Sequence, residues 1–171
     1  MIKFFLISFF NLKKLINKKT VAIIIEFVQG DGGINICTKE FAKTIKEICK
    51  KRKILLIADE IQGGIGRTGK IFAYKHYGVS PDIITSAKGL TSGYAPLGAM
   101  LVSDRLAEPF ADTDEQFLHG YTFAGHPVSC AVALANLDLF ERQDFLGNVM
   151  ANETYFRAAL DDLSDLPIVG D

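Results

Sequence analysis

A set of unbroken apolar runs, each stopping on polar residues, limits what this chain can fold into. Val21-Ala22-Ile23-Ile24-Ile25 stops at Glu26, and Ile54-Leu55-Leu56-Ile57-Ala58 stops at Asp59-Glu60. A third run, Asp82 to Thr85, follows a Ser80-Pro81 break, and a fourth spans Gly98 to Val102. A strand with one wet face alternates apolar and polar residues, whereas a run that is apolar throughout belongs to a strand covered on both faces. Between the first two runs, Thr38 suits the N-cap of a helix reaching Lys51, with Phe41, Ile45, Ile48 and Cys49 on one face. A long helix is expected after Pro127, through Val132, Leu134, Leu137 and Phe140, and another from Phe145 to Leu163. Strands alternating with helices predict an α/β fold, a mostly parallel sheet flanked by helices.

The chain has 171 residues, 49% of them hydrophobic, and a formal net charge of −1. That suffices for a core and excludes a disordered chain. It gives no electrostatic case for nucleic acid or an anionic membrane. Cys37, Cys49 and Cys130 have no paired spacing and read as reduced thiols, which implies a cytoplasmic protein. Residues 1–19 differ in character: an apolar run from Phe4 to Phe10 is followed by the pairs Lys13-Lys14 and Lys18-Lys19. No small-residue cleavage site follows the run, and it is too short to span a bilayer. This segment is expected to be atypical of the rest of the chain.

Polar groups gather at the strand ends: Glu26, then Asp59 with Gln62, then Lys88. In open α/β sheets ligands bind beyond the carboxyl ends of the strands, so these groups can share one crevice. An acid, an amide and a lysine are what a pyridoxal cofactor requires. The acid keeps the pyridine nitrogen protonated, the amide reaches the ring hydroxyl, and the lysine bonds to the cofactor and moves a proton. A strand-end Asp also serves as a turn residue, and a lysine after a strand is commonly solvated, so spacing alone leaves these readings open. A rival reading is a nucleotide hydrolase, because Gly64-Ile65-Gly66-Arg67-Thr68-Gly69-Lys70 follows most of a phosphate-binding loop. That pattern breaks at Ile71, where a hydroxyl residue should meet magnesium, and the acidic strand precedes the loop directly. His76, His119 and His126 lack metal-ligand spacing.

Longer segments decide between these readings. Glu26-Phe27-Val28-Gln29-Gly30, the stretch Ala58 to Gly69, Pro81 to Leu90, Pro96-Leu97-Gly98-Ala99 and His119 to Pro127 together resemble class III pyridoxal-phosphate-dependent aminotransferases. The resemblance runs from about Thr20 to the last residue. It implies part of the large cofactor-binding domain of a fold type I enzyme over residues 20–143 and, over 144–171, a helix leading to a truncated small domain, with residues 1–19 expected not to match the family. It implies pyridoxal 5'-phosphate as cofactor, with Asp59 partnering the pyridine nitrogen, Gln62 the ring hydroxyl and Lys88 bonding to the cofactor. Thr122 would reach the cofactor phosphate of a neighbouring subunit in a homodimer. The implied reaction moves an amino group from an amine or ω-amino acid to a keto acid such as pyruvate. Two positions depart from the family pattern. Phe27 stands where proline is usual, and Asp31 where ornithine- and aminobutyrate-type members carry a glutamate. Family members are more than twice this length, so the chain is expected to be a fragment, inactive alone.

Overall fold

The computed structural model describes residues 12, 14–31, 33–111 and 114–169. The apolar run Phe4 to Phe10 lies outside them. In chain order come β1 (Ala22–Ile25), a small antiparallel pair β2 (Val28–Gln29) and β3 (Asn35–Ile36), helix α1 (Lys39–Arg52), β4 (Leu55–Asp59), β5 (Ile83–Ser86) and β6 (Ala99–Val102). The short α2 (Asp104–Ala107) and the longer α3 (Pro127–Arg142) and α4 (Phe145–Asp161) follow. The main sheet has four strands in the order β1-β4-β5-β6. The first two pairings are parallel and the last antiparallel, so the expected mostly parallel α/β architecture is present. Each expected strand and helix is there, with ends moved by a residue or two.

Helix α1 forms where its caps place it. Thr38 Oγ1 accepts the Phe41 N–H at 3.1 Å. At the other end Lys53 takes a left-handed conformation, φ 54°, and returns its N–H to Cys49 O. Lys50, Lys51 and Arg52 in the last turn complement the negative end of the helix dipole. The helix buries Ala42, Ile45 and Cys49 in one cluster with Leu56 and Ala58 of β4, Phe27, Ala73 and Val79. Burying a side chain the size of Ile45 contributes about 1.5–3 kcal/mol. Since β4 is pleated, Leu56 and Ala58 share the α1 face, and Leu55, Ile57 and Asp59 project the other way.

Coverage of the sheet is uneven, which differs from the expectation of two closed faces. Ile24, Met100 and Leu101 are 44%, 53% and 43% exposed. Among the described residues α1 seals one face, whereas α3 packs over the turn that follows β5. There Ala133 joins Ile65 and Leu90, with Leu97, Ala99 and Phe140 around them. No helix among the described residues is long and apolar enough to cross a membrane.

Asp82, just before β5, ties three strands together. Its Oδ2 accepts the Leu56 N–H at 2.9 Å, its N–H donates to Leu56 O at 2.8 Å, and its carbonyl accepts from Ser103 N at 2.9 Å. Its Oδ1 also pairs with Arg105 at 2.6 Å, an ion pair whose arginine side chain is 65% exposed. Asp82→Ala should therefore cost about 1–3 kcal/mol, because it strands the N–H of the buried Leu56. Arg105→Ala should cost at most about 1 kcal/mol, the scale of an exposed ion pair. Denaturant unfolding of the two variants checks this, and equal losses would place the energy in the ion pair instead.

Candidate active site

Asp59 and Lys88 leave the same edge of the sheet because β4 and β5 run in parallel. Asp59 pairs in register with Thr85, and one residue further Glu60 N donates to Thr85 O at 2.9 Å. Asp59 is half-buried, and its Oδ1 accepts the Ile61 N–H at 3.0 Å. After β5 the chain makes a 3-10 turn, Lys88–Thr91, which presents an exposed Lys88 side chain. Lys88 has φ 42°. A lysine in this left-handed region costs about 1–2 kcal/mol, so its surroundings must hold it there. Among the described residues the Lys88 amine has no hydrogen-bond or ion-pair partner.

Gln62 lies on the loop after β4 and reaches Gly30, just past β2. Its amide rests so closely on Gly30 that any side chain at position 30 would overlap it. Glu26 Oε2 accepts the Gly30 N–H at 3.1 Å and fixes that close approach. The structure thus lines Glu26 with Gly30, Asp59 with Gln62, and Lys88 along one edge. Thr122 stands apart, in an exposed turn just ahead of α3, between Tyr121 and Phe123, each 77% exposed.

The chemistry of this edge fits a pyridoxal cofactor. It offers a carboxylate, an amide and a primary amine. Thr85 Oγ1 and Ser86 Oγ, at the carboxyl end of β5, are buried without hydrogen-bond partners among the described residues. The Gly64 to Lys70 loop leads into a 3-10 turn at Ala73–His76, whose leading N–H groups a carboxylate already occupies.

That carboxylate belongs to Glu60, a residue the sequence reading did not single out. Glu60 is 1% exposed and accepts N–H groups from Ala73 and Tyr74, each at 2.8 Å. Its carbonyl accepts from Gly64 N at 3.0 Å. Burial pushes its carboxyl above the ordinary 4.5, the two N–H donors act against that push, and the neighbouring Asp59 adds to it. Glu60 closes the loop that carries Gln62. Its one signal in the sequence is a second acid beside Asp59, where a single acid would serve the ring nitrogen.

Two histidines and two cysteines have surroundings of their own. His76 Nε2 lies 3.0 Å from Thr68 O. His119 meets the rings of Phe117 and Tyr121 edge-on, with centroids 5.9 and 5.3 Å away. Burial raises the thiols of Cys37 and Cys49 to about 11, which keeps them protonated and unreactive near neutrality.

Comparison with known proteins gives a consistent result. A sequence model described as aminotransferase class-III matches residues 3–171. A probable aminotransferase of Mycobacterium tuberculosis is 52% identical over 150 residues, which cover 88% of this chain and 32% of that one. An acetylornithine aminotransferase of Methanocaldococcus jannaschii is 42% identical, over 89% of this chain and 37% of that one. Among solved structures, an (S)-enantioselective omega-transaminase from Thermomicrobium roseum superposes with a TM-score of 0.81 at 47% identity, covering 88% of this chain and 34% of that one. The chain spans about a third of the length of the curated relatives it matches.

The raised Glu60 carboxyl gives stability a defined pH dependence. A carboxyl held above its unfolded value favours the fold when protonated. Its contribution is complete below about 4.5 and is lost as pH rises through the folded value. Glu60→Gln cannot titrate, so the stability of the native protein relative to this variant should fall across that interval and then level off. Thermal unfolding of both proteins over pH measures the gap, and a gap that does not move with pH would contradict the assignment.

Proposed function

The chain belongs to the class III aminotransferases, and from that membership we propose that it carries the cofactor edge of an enzyme transferring an amino group from an amine or ω-amino acid to a keto acid such as pyruvate. The observation that supports this most is the placement of Asp59 and Lys88 at the carboxyl ends of the adjacent parallel strands β4 and β5, with Gln62 in the loop after β4 resting on Gly30. Pyridoxal phosphate, when bound, supplies a cationic ring that accepts the electron pair left by removal of a proton from the donor's amine-bearing carbon. Asp59 holds a proton on the ring nitrogen through a charge-assisted hydrogen bond and so keeps the ring cationic. Gln62 orients the ring through its hydroxyl. Lys88 Nζ would hold the cofactor by its carbonyl carbon, whose oxygen leaves as water, and would yield that place to the incoming donor amine; the freed lysine amine would then take the proton from the donor's amine-bearing carbon and deliver it to the cofactor carbon it had left.

Thr122 has its part in a second copy of the chain. Its turn is flanked by exposed apolar side chains, Phe117, Leu118, Tyr121 and Phe123, which suit an intersubunit surface. Across that surface Thr122 would offer its hydroxyl to the partner's cofactor phosphate.

Two experiments on the intact protein test the reading. Borohydride reduction with pyridoxal phosphate, followed by peptide mapping, should place the label on Lys88, and label concentrated on Lys70 or Lys75 would overturn it. Asp59→Ala, in a chain completed with the parts its longer relatives carry, should fold normally and lose about a hundredfold or more in pyruvate-dependent turnover, and near-normal turnover would reduce Asp59 to a structural strand end.

Gly30→Ala separates binding from stability. The atoms it meets are the far end of the flexible Gln62 side chain, so its melting temperature should hardly move. Cofactor affinity should nonetheless fall about tenfold, the scale of one lost hydrogen bond. Unchanged affinity by equilibrium titration would remove Gln62 from the binding set.

A further inference from the structure

Helix α3 carries a buried polar side chain that the proposed chemistry does not use. Asn136 is 9% exposed, on a helix whose other contacts in that region are apolar. Its amide nitrogen donates to Gly89 O at 2.9 Å and to Leu90 O at 3.1 Å. Its amide oxygen accepts the Ser92 hydroxyl at 2.6 Å. Every one of these partners lies in the five residues from Lys88 to Ser92. That segment is awkward for a polypeptide: Lys88, Ser92 and Gly93 all have positive φ, 42°, 49° and 78°, and Ala87 before them is extended. Within the turn Gly89 O accepts the Ser92 N–H at 3.2 Å, and Asn136 adds a second donor to that carbonyl and takes up Leu90 O beside it. On the opposite side Ile65 packs against Gly89, 3.0 Å from where a side chain at position 89 would begin.

We infer that Asn136 is a positioning residue for Lys88. Its two donated hydrogen bonds hold the turn in the conformation that keeps Lys88 left-handed and aims the amine at the strand edge. An asparagine suits this task because one planar amide presents two donors and an acceptor, and the turn requires all three. Without the amide the backbone at Lys88 is free to relax to its ordinary right-handed region. The side chain then leaves the same Cα in a different direction. The reactive amine would be lost from its place with no change in its own chemistry. This inference rests on the reading of Lys88 as the cofactor-bearing lysine.

The test uses the intact protein and its Asn136→Ala and Asn136→Asp variants. Asp keeps the size and the acceptor but removes both donors, so it serves if the alanine variant fails to fold. Two quantities are followed: the rate of borohydride-trapped pyridoxal phosphate labelling at Lys88, with exposed Lys43 on α1 as internal reference, and amide hydrogen exchange. The expected result is a Lys88 labelling rate lower by about tenfold or more relative to Lys43, the scale of a mis-set reacting group. Faster exchange at Leu90 and Ser92 should accompany it, with the amides of α1 and β4 still protected. A merely structural Asn136 would lower the melting temperature and leave Lys88 labelling at the native rate in the folded protein, and that outcome overturns the inference alone. Absence of preferential Lys88 labelling in the unaltered protein overturns the reading of Lys88 itself, and this inference with it.

Discussion

The pairing of Ile57, Ala58 and Asp59 with Ile83, Ile84 and Thr85 fixes which chemical groups meet at the sheet edge. Side chains alternate along a strand, so a slip of one residue would turn Asp59 toward α1 and into the cluster of Leu56, Ala58 and Ile45. A carboxylate there would lose its hydration without gaining partners, a cost of several kcal/mol or more. The register is secured at both ends of the ladder. Asp82 binds both the N–H and the carbonyl of Leu56 at one end, and the Glu60 N–H reaches Thr85 O at the other. The apolar runs decide that strands form, and these polar pins decide where they align.

Two adjacent acids at the end of β4 show how environment divides roles that composition leaves equal. Asp59 is half-buried at the open edge, whereas Glu60 is 1% exposed and turned toward the start of the Ala73–His76 turn. Successive side chains on a strand point to opposite faces, so one acid of such a doublet must go inward. The inward one persists there because two backbone N–H groups meet its oxygens. Its carbonyl and side chain then shape the loop that holds Gln62 against Gly30. A buried acid thus sets the position of an exposed amide.

Local features were legible in the sequence and long-range ones were not. The apolar runs are the strands, and the Thr38 cap was readable from a side chain and an N–H three residues apart. The missing proline at position 27 was visible, but its meaning was not. Phe27 is 1% exposed and its ring lies 5.0 Å from that of Tyr77, so the position fills the core beneath the strand end. Nothing near Asn136 in its apolar helix marks it out, because its partners lie 44 to 47 residues earlier. The overlap of Gly30 with Gln62 was invisible for the same reason, since it depends on how β1 and β4 pair. The division of the acid doublet needed the fold of the following turn.

The Lys88 turn also belongs to a longer mechanical chain. Ile65 has φ 49°, a costly conformation for a β-branched residue, yet it is buried and seated against Gly89. The next residue, Gly66, abuts Phe140 near the end of α3 and Leu146 in the first turn of α4. Phe140 and Phe145 meet edge-on, with centroids 5.0 Å apart, and close the corner between those two helices. The loop after β4 is therefore pressed between the helical corner and the lysine turn, while α3 grips the same turn through Asn136. Strain at Ile65 persists because both neighbours are packed, and dense packing transmits displacement instead of absorbing it. Substitutions in the α3–α4 corner would thus bear on the direction of Lys88 even though none of those residues touches it. Lys53 is also exposed and left-handed, but it ends α1; Lys88 stands at the carboxyl edge of the sheet, on a backbone held by helices far along the chain.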